Sequence, residues 1–319
     1  MAGRSALLPL TETSPAATSP TETPAGSAPM QVFDTPASMR AWSDAQRQAG
    51  RVVGFVPTMG ALHAGHLALV DDARHRADVV VVSIFVNPLQ FDVRDDFDRY
   101  PRPIDDDLEA CRLQGVDAVY APTARAMYPD GFQTHVEPGE LGEVLEGAHR
   151  PGHFRGVTTV VTKLFGAVRP HLAVFGQKDF QQLAIIRRMT SDLDLGIEIV
   201  AHPTVREADG VAMSSRNRRL SPTQRTAAVC INAGLTAAEH AFAAGERDVA
   251  VLSALACAPV DAEPLARREY LSIVDPHTLE EIDGAVGDAT AGCGLIVTAA
   301  WFGEVRLIDN RLLGDPDAR

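Results

Sequence analysis

This 319-residue chain is poor in cysteine and in positive charge, and each shortage closes off a class of function. Cys111, Cys230, Cys257 and Cys293 stand far apart with no C-x-x-C pair, so neither a structural zinc site nor a disulfide framework is expected, and a reducing, cytoplasmic setting is. Lysine and arginine number 29 against 42 aspartates and glutamates, a formal net charge of −13. Such a chain lacks the clustered cations that a nucleic-acid backbone demands, so no nucleic-acid partner is expected. Long hydrophobic runs are missing too: stretches such as 79–86 fall far below the roughly 20 residues of a membrane-spanning helix, so no membrane association is expected. Residues 1–29 are short of charge and of periodicity, carrying only Arg4, Glu12 and Glu22 among Thr, Ser, Pro and Ala. That composition predicts a disordered tail. Its apolar centre, Ala6-Leu7-Leu8-Pro9-Leu10, is too short for a secretory signal, and arginine is too sparse for a transit peptide.

The chain as a whole is apolar enough, at 45% hydrophobic residues, to bury two cores. From Val32 to about Thr204, apolar runs alternate with helical patterns, which predicts an α/β fold: a parallel sheet with helices on both faces. Strands are expected at 52–56, 79–86, 118–120, 172–175 and 197–200, and helices starting near Ser38, Gly65, Ile104, Gly156 and Asp179. In such sheets ligands sit beyond the carboxyl ends of the strands. Beyond Arg216 the pattern changes. Ser221-Pro222-Thr223-Gln224 reads as a capping box opening a long helix to about Gly245, followed by a helix at 249–257 and strands at 270–274, 295–300 and 305–308.

The strand at 52–56 leads into Pro57-Thr58-Met59-Gly60-Ala61-Leu62-His63-Ala64-Gly65-His66. A strand, a glycine turn and a helix start suit a phosphate: Gly60 lets the backbone pass where a Cβ would clash, and the first helical N–H groups favour an anion. His63 and His66, three apart, are expected on one helical face, where near-neutral imidazoles bind a phosphate oxygen and share developing charge. The plainer alternative is two surface histidines. Gly176-Gln177-Lys178-Asp179 also joins a strand to a helix and puts an ammonium beside an anion-favouring terminus, unless Asp179 and Gln182 merely form a capping pair. Asn87 and Gln90 follow the 79–86 strand, where amides orient a carboxylate or hydroxyls, or serve a polar turn. Met213-Ser214-Ser215-Arg216 offers two hydroxyls and a forked guanidinium to a triphosphate, or is a solvated basic loop continued by Arg218 and Arg219. Asp105-Asp106-Asp107 complement the dipole of the helix they open, and His153 and Arg155 lie in a Gly-rich turn before Gly156.

Together with Tyr100-Pro101-Arg102, Leu145-Glu146-Gly147 and His153-Phe154-Arg155-Gly156-Val157, these segments occur in an order and spacing that resembles the pantothenate synthetase family, the pantoate and β-alanine ligases of the nucleotidyltransferase superfamily with HIGH-type signatures. The resemblance runs from about Val32 to the end. It implies a Rossmann-like nucleotidyltransferase domain at 30–204, a smaller α+β C-terminal lid domain at 205–319, and a homodimer formed through the larger domain. The implied activity is an ATP- and Mg²⁺-dependent condensation of pantoate with β-alanine to pantothenate, AMP and pyrophosphate through pantoyl adenylate. ATP would meet Met59, Gly60, Ala61, Leu62, His63, Ala64, Gly65, His66, Gly176, Gln177, Lys178, Asp179, Val205, Met213, Ser214, Ser215 and Arg216. Gln90 and Gln182 would hold pantoate, with Asn87 in the same pocket, Gln90 also meeting β-alanine and His153 close to the nucleotide. Asp106 would lie near Mg²⁺, and His66 would donate a proton while His63, Lys178 and Arg216 steady the leaving pyrophosphate.

Two positions depart from the family pattern: Ala64, where many members are acidic, and Gln177, where they carry Glu. Each removes a carboxylate beside His63, His66 or Lys178, which bears on ATP affinity and leaves activity expected. Two rivals share the His-x-Gly-His turn or the nucleotide. One is a nucleotidyltransferase acting on a phosphorylated alcohol, which would lack the amide pocket of Gln90 and Gln182; the other is a non-catalytic nucleotide-binding or RNA-associated protein, which the acidic charge and the want of a basic appended domain disfavour.

Overall fold

The computed structural model describes residues 29–91, 97–287 and 292–315; the tail expected at 1–29 lies outside them except for its last residue. Six parallel strands, β1 (Gln31–Phe33), β2 (Val53–Thr58), β3 (Val79–Ile84), β4 (Ala118–Tyr120), β5 (Leu172–Gly176) and β6 (Glu198–His202), form one sheet in the order β1-β4-β3-β2-β5-β6. Between them run α1 (Pro36–Gln48), α2 (Ala64–Arg76), α3 (Ile104–Leu113), the single turns α4 (Ala124–Met127) and α5 (Glu146–His149), α6 (His153–Val168) and α7 (Phe180–Asp192). Successive residues of a strand point to opposite faces. Phe55, Val81 and Phe175 accordingly pack with Met39 of α1 and Val161 and Phe165 of α6, whereas Val56, Val80, Val82 and Val174 pack with Leu69, Val70 and Ala73 of α2. Gly54 permits the second of these contacts, because a Cβ there would stand 2.9 Å from the Cβ of Ala77.

Strand β1 was not expected from the apolar pattern: it is three residues long at the sheet edge and its Val32 is 50% exposed, so burial leaves no mark on it. Strand β3 ends at Ile84, short of the expected 86. The strand order reverses between β2, which leads to β3 and β4, and β5, which leads to β6. Loops leaving these two neighbours diverge, and the crevice between them is where ligands settle in open α/β sheets.

Residues beyond β6 build a second core. Strands β7 (Ala266–Val274), β8 (Gly294–Phe302) and β9 (Val305–Leu313) form an antiparallel sheet packed against α8 (Pro222–Ala227), α9 (Val229–Ala243) and α10 (Val249–Asp261) through Ile231, Leu235, Leu252, Ile296 and Phe302. The Ser221/Gln224 capping box is present. The single long helix expected after it is instead split at Ala228, where the chain tightens to an i→i+3 bond from Ile231 N to Ala228 O at 3.3 Å. Phe180 at the start of α7, packed against Val274, Leu295 and Val297, seats the small sheet on the large one. Among the described residues no helix is long and apolar enough to cross a membrane.

Candidate active site

At the end of β2 the Thr58 hydroxyl donates to Ser83 O at 2.7 Å and accepts from Gly60 N at 3.1 Å, which starts the turn. Gly60 at φ +80° and Ala61 at φ +50° both adopt the left-handed region. The turn is held from α3: Asp107, 2% exposed, accepts from Ala61 N at 2.8 Å and from Leu62 N at 2.7 Å. Glycine is required at 60 on two counts, since a Cβ would also stand 2.8 Å from Asp107 Oδ2. Burial pushes the Asp107 carboxyl up, and the two N–H donors oppose it. Sequence reasoning misses Asp107 because an acidic run at a helix start already has an explanation in the helix dipole. Asp106, the residue expected near a metal, is exposed on the same turn and lines neither cavity described below. Among the described residues no three His, Cys, Asp or Glu side chains are grouped to hold a metal ion.

Helix α2 opens at Ala64, so His63 is its N-cap rather than a member of its first turn, and its side chain makes no capping bond. The two imidazoles nevertheless meet, stacked with centroids 4.0 Å apart and planes at 30°. They are not poised near neutrality as expected. Burial and then the Lys178 charge hold His63 down at about 4, and burial, His63 and Lys178 hold His66 at about 3. Both are therefore neutral near pH 7. Each keeps a buried Nδ1 with no partner, an unmet hydrogen-bonding capacity that suits an anion bringing acceptor oxygens.

Strand β5 delivers Gly176 to a 3₁₀ turn, Gln177–Asp179, whose Lys178 Nζ lies 3.8 Å from Asp179 Oδ2. Asp179 occupies the N-cap of α7 without a side-chain hydrogen bond, so the capping pair with Gln182 does not form. Opposite, Arg206 bridges to Ala212, Met213 N donates to Val205 O at 2.9 Å, and Ser214 Oγ accepts from Arg216 N at 3.3 Å. A cavity of about 240 Å³ opens between these turns, lined by Met59, His63, Gly65, His66, Gly176, Lys178, Asp179, Val205, Met213, Ser214, Ser215 and Arg216, and also by Gln90, His153 and Gln182. Gly60, Ala61, Leu62, Ala64 and Gln177 line no cavity wall and form the turns behind it.

The amide side is built on the Pro88–Gln90 turn. Gln90 Oε1 accepts from Asn87 Nδ2 at 2.9 Å, and Asn87 is locked in turn by Gly156 O at 3.0 Å and the Tyr128 hydroxyl at 2.7 Å. Asn87 thus stands behind Gln90 rather than on the wall. A Cβ on Gly156 would lie 2.3 Å from Leu89 O, so only glycine lets α6 dock on this turn. His153 is the first residue of α6, three residues before the expected helix start; its Nδ1 lies 2.8 Å from Gln90 O, and burial followed by Arg150 holds it at about 4. Arg150, unnoticed in the sequence, donates to Gln90 O at 3.1 Å and lines the cavity. Gln181 is occupied by Glu146 N, Leu141 O and Val144 O, so of the two adjacent glutamines of α7 it is Gln182 that joins Gln90 on the wall. Phe85, Val157, Val160 and Val161 give that end an apolar floor.

A second chamber of about 340 Å³ lies between the two sheets and shares Arg150, His153, Lys178, Gln182 and Arg216 with the first. Its wall is stitched by Arg306 of β9, which donates to Glu146 at 2.7 and 2.7 Å and to Glu269 at 2.7 Å, while the Tyr270 hydroxyl donates to Glu146 at 2.6 Å. Burial alone would push the Glu146 carboxyl up; the Arg306 contacts outweigh it and hold it below its usual range.

The chain matches the family described as pantoate-beta-alanine ligase over residues 31–312. It is 51% identical over 284 residues to the pantothenate synthetase of Heliobacterium modesticaldum, covering 89% of this chain and 99% of that protein. Pantothenate synthetase 1 of Bradyrhizobium diazoefficiens is 52% identical over 284 residues, at 89% and 98% coverage. Among solved structures, pantothenate synthetase from Thermus thermophilus superposes with a TM-score of 0.81 at 44% identity, covering 88% of this chain and 99% of that one. The pantoate-beta-alanine ligase from Francisella tularensis, complexed with beta-gamma ATP and beta-alanine, gives 0.74 at 32% identity, covering 90% and 100%.

Proposed function

Because this chain belongs to the pantoate–β-alanine ligase family, we propose that it condenses pantoate with β-alanine, converting ATP to AMP and pyrophosphate through pantoyl adenylate. The observation that carries this reading is one cavity in which an anion-favouring wall, with His63, His66, Lys178 and Arg216, faces an amide wall, with Gln90 and Gln182. The triphosphate lies on the first wall with adenine toward Val205. Pantoate lies on the second, its carboxylate turned to the α-phosphorus and its methyl groups on Val157, Val160 and Val161.

In the first step a pantoate carboxylate oxygen bonds to the α-phosphorus as the bond to the β-phosphate oxygen breaks. Lys178 and Arg216 stabilise the negative charge that leaves with pyrophosphate, and the two imidazoles fill their empty hydrogen-bonding positions on phosphate oxygens. A phosphate beside His66 raises its affinity for a proton, which turns a neutral ring into the donor the leaving group needs. In the second step the β-alanine amine attacks the acyl carbonyl, the bond to the AMP oxygen breaks, and the amine loses a proton. No covalent bond to the enzyme is needed. ATP enters as its magnesium complex, the ion held by phosphate oxygens and water; the exposed Asp106 does not fit as its ligand. The small antiparallel sheet serves as a lid over the shared chamber, and the enzyme works in the cytoplasm as a homodimer.

The test is AMP release with pantoate, β-alanine and MgATP, each omitted in turn. Release should require all three. A product that keeps the nucleotide would instead favour the alcohol-transferring rival, and tight ATP binding without pyrophosphate release the non-catalytic one. His66→Ala should slow adenylate formation by about 10²–10⁴-fold.

A further inference from the structure

Asn310 lies on β9, in the small sheet, yet its carboxamide spends both hydrogens on the lysine turn of the large one. Its Nδ2 donates to Gln177 O at 2.8 Å and to Lys178 O at 2.8 Å, and the residue is 7% exposed. The neighbouring Asp309, 4% exposed, accepts both arms of Arg206 at 2.7 and 3.0 Å and the Asn310 backbone N–H at 2.8 Å. Arg206 follows Val205 and bridges to Ala212, at the root of the loop 213–216, and it also donates to Gly210 O at 3.0 Å. Two consecutive residues of one strand therefore grip the two opposing jaws of the cavity.

We propose that Asn310 is a positioning residue for Lys178, and that with Asp309 it sets the spacing between the lysine turn and the loop 213–216 across the nucleotide. The chemistry of the grip is specific. The carbonyls of two consecutive residues, Gln177 and Lys178, are bridged by a single NH₂ group, which carries two donors and no charge. A carboxylate of the same shape would oppose both carbonyls with acceptors. Lys178 moves with its backbone, and a misplacement of about 1 Å in a group that meets the reacting phosphates costs on the order of 10²-fold in rate.

The inference rests on the adenylation reading, and two half-reactions separate the two. Pantoate-dependent exchange of labelled pyrophosphate into ATP reads adenylate formation; β-alanine attack on preformed pantoyl adenylate, without ATP, reads the second step. In the full-length protein Asn310→Asp should lower exchange by about 10- to 100-fold and leave the second step within about twofold of wild type. On a Lys178→Ala background the same change should add less than about twofold, since the residue acts through the lysine. Asn310→Ser, with a single donor, should fall between wild type and Asn310→Asp and serves in its place if the latter does not fold. Exchange unchanged in a folded variant, an equal fall in both half-reactions, or a full additional loss on the Lys178→Ala background would each overturn the proposal. A wild-type protein without pantoate-dependent exchange would overturn the functional reading itself.

Discussion

Replacing Asp107 with Asn isolates what holds the histidine turn. The carboxylate accepts two backbone N–H groups, Ala61 at 2.8 Å and Leu62 at 2.7 Å, in a site 2% exposed. A hydrogen bond to a charged group contributes about 1.5–3 kcal/mol, and an unsatisfied buried N–H costs about 1–3 kcal/mol. The asparagine carbonyl oxygen can keep one bond, whereas its NH₂ meets the second N–H donor to donor. The expected loss is about 3 kcal/mol of unfolding free energy. Ala61 at φ +50° is a strained conformation worth about 1–3 kcal/mol, so a released turn relaxes and carries His63 with it. Pyrophosphate exchange should then fall by about 10²-fold. Urea unfolding and exchange, measured on Asp107→Asn and on Asp106→Asn, check both halves. The exposed Asp106 should change stability by no more than about 0.5 kcal/mol. Wild-type behaviour in Asp107→Asn together with loss of exchange in Asp106→Asn would refute the reasoning and restore a ligand role to Asp106.

Three more expectations follow from the same geometry. His63 and His153 sit at about 4 and His66 at about 3, all below the ordinary 6.5, so the unfolded chain takes up their protons first as the solution is acidified. Stability should be level above about pH 6.5 and fall toward pH 4, each ring contributing up to about 1.4 kcal/mol per pH unit; urea titrations at pH 7 and pH 5 should show the drop, and His66→Gln should shrink it. Gly156→Ala drives a Cβ toward Leu89 O and should destabilise the fold by about 1–3 kcal/mol while raising KM for pantoate more than KM for MgATP. Arg306→Ala takes the guanidinium away from Glu146 and Glu269, which keep the Tyr270 hydroxyl and the Trp301 indole N–H, and should cost about 3 kcal/mol in a denaturation experiment.

Wherever burial writes a continuous apolar run, as in β2, β3 and β5, the strands are legible in the sequence, and the turns that follow them are legible in their glycines. The capping box at Ser221 is legible because its chemistry is local. Helix α9 reads as one with α8 because Ala228 is as good a helix former as its neighbours; the break lies in packing, not in composition. Strands β7 and β9 run longer than expected because Arg267, Arg268, Asp309 and Asn310 interrupt the alternation while still pairing in the ladder. The depressed histidines depend on burial and on Lys178, 115 residues beyond His63, and no window of sequence contains both. Asp107 is indistinguishable from Asp105 and Asp106 by type and differs from them only in the side of α3 that it occupies. Arg306 and Glu146, 160 residues apart, become partners only when the two sheets meet.

The reversal of strand order between β2 and β5 makes the crevice a property of connectivity before any side chain enters it. A bowl whose rim is main chain tolerates exchange of its fittings: Ala64 and Gln177 belong to the rim and not to the wall. Charge at such rim positions can therefore be changed while the seat for the reacting groups persists, which is a durable starting point for retuning this site by design.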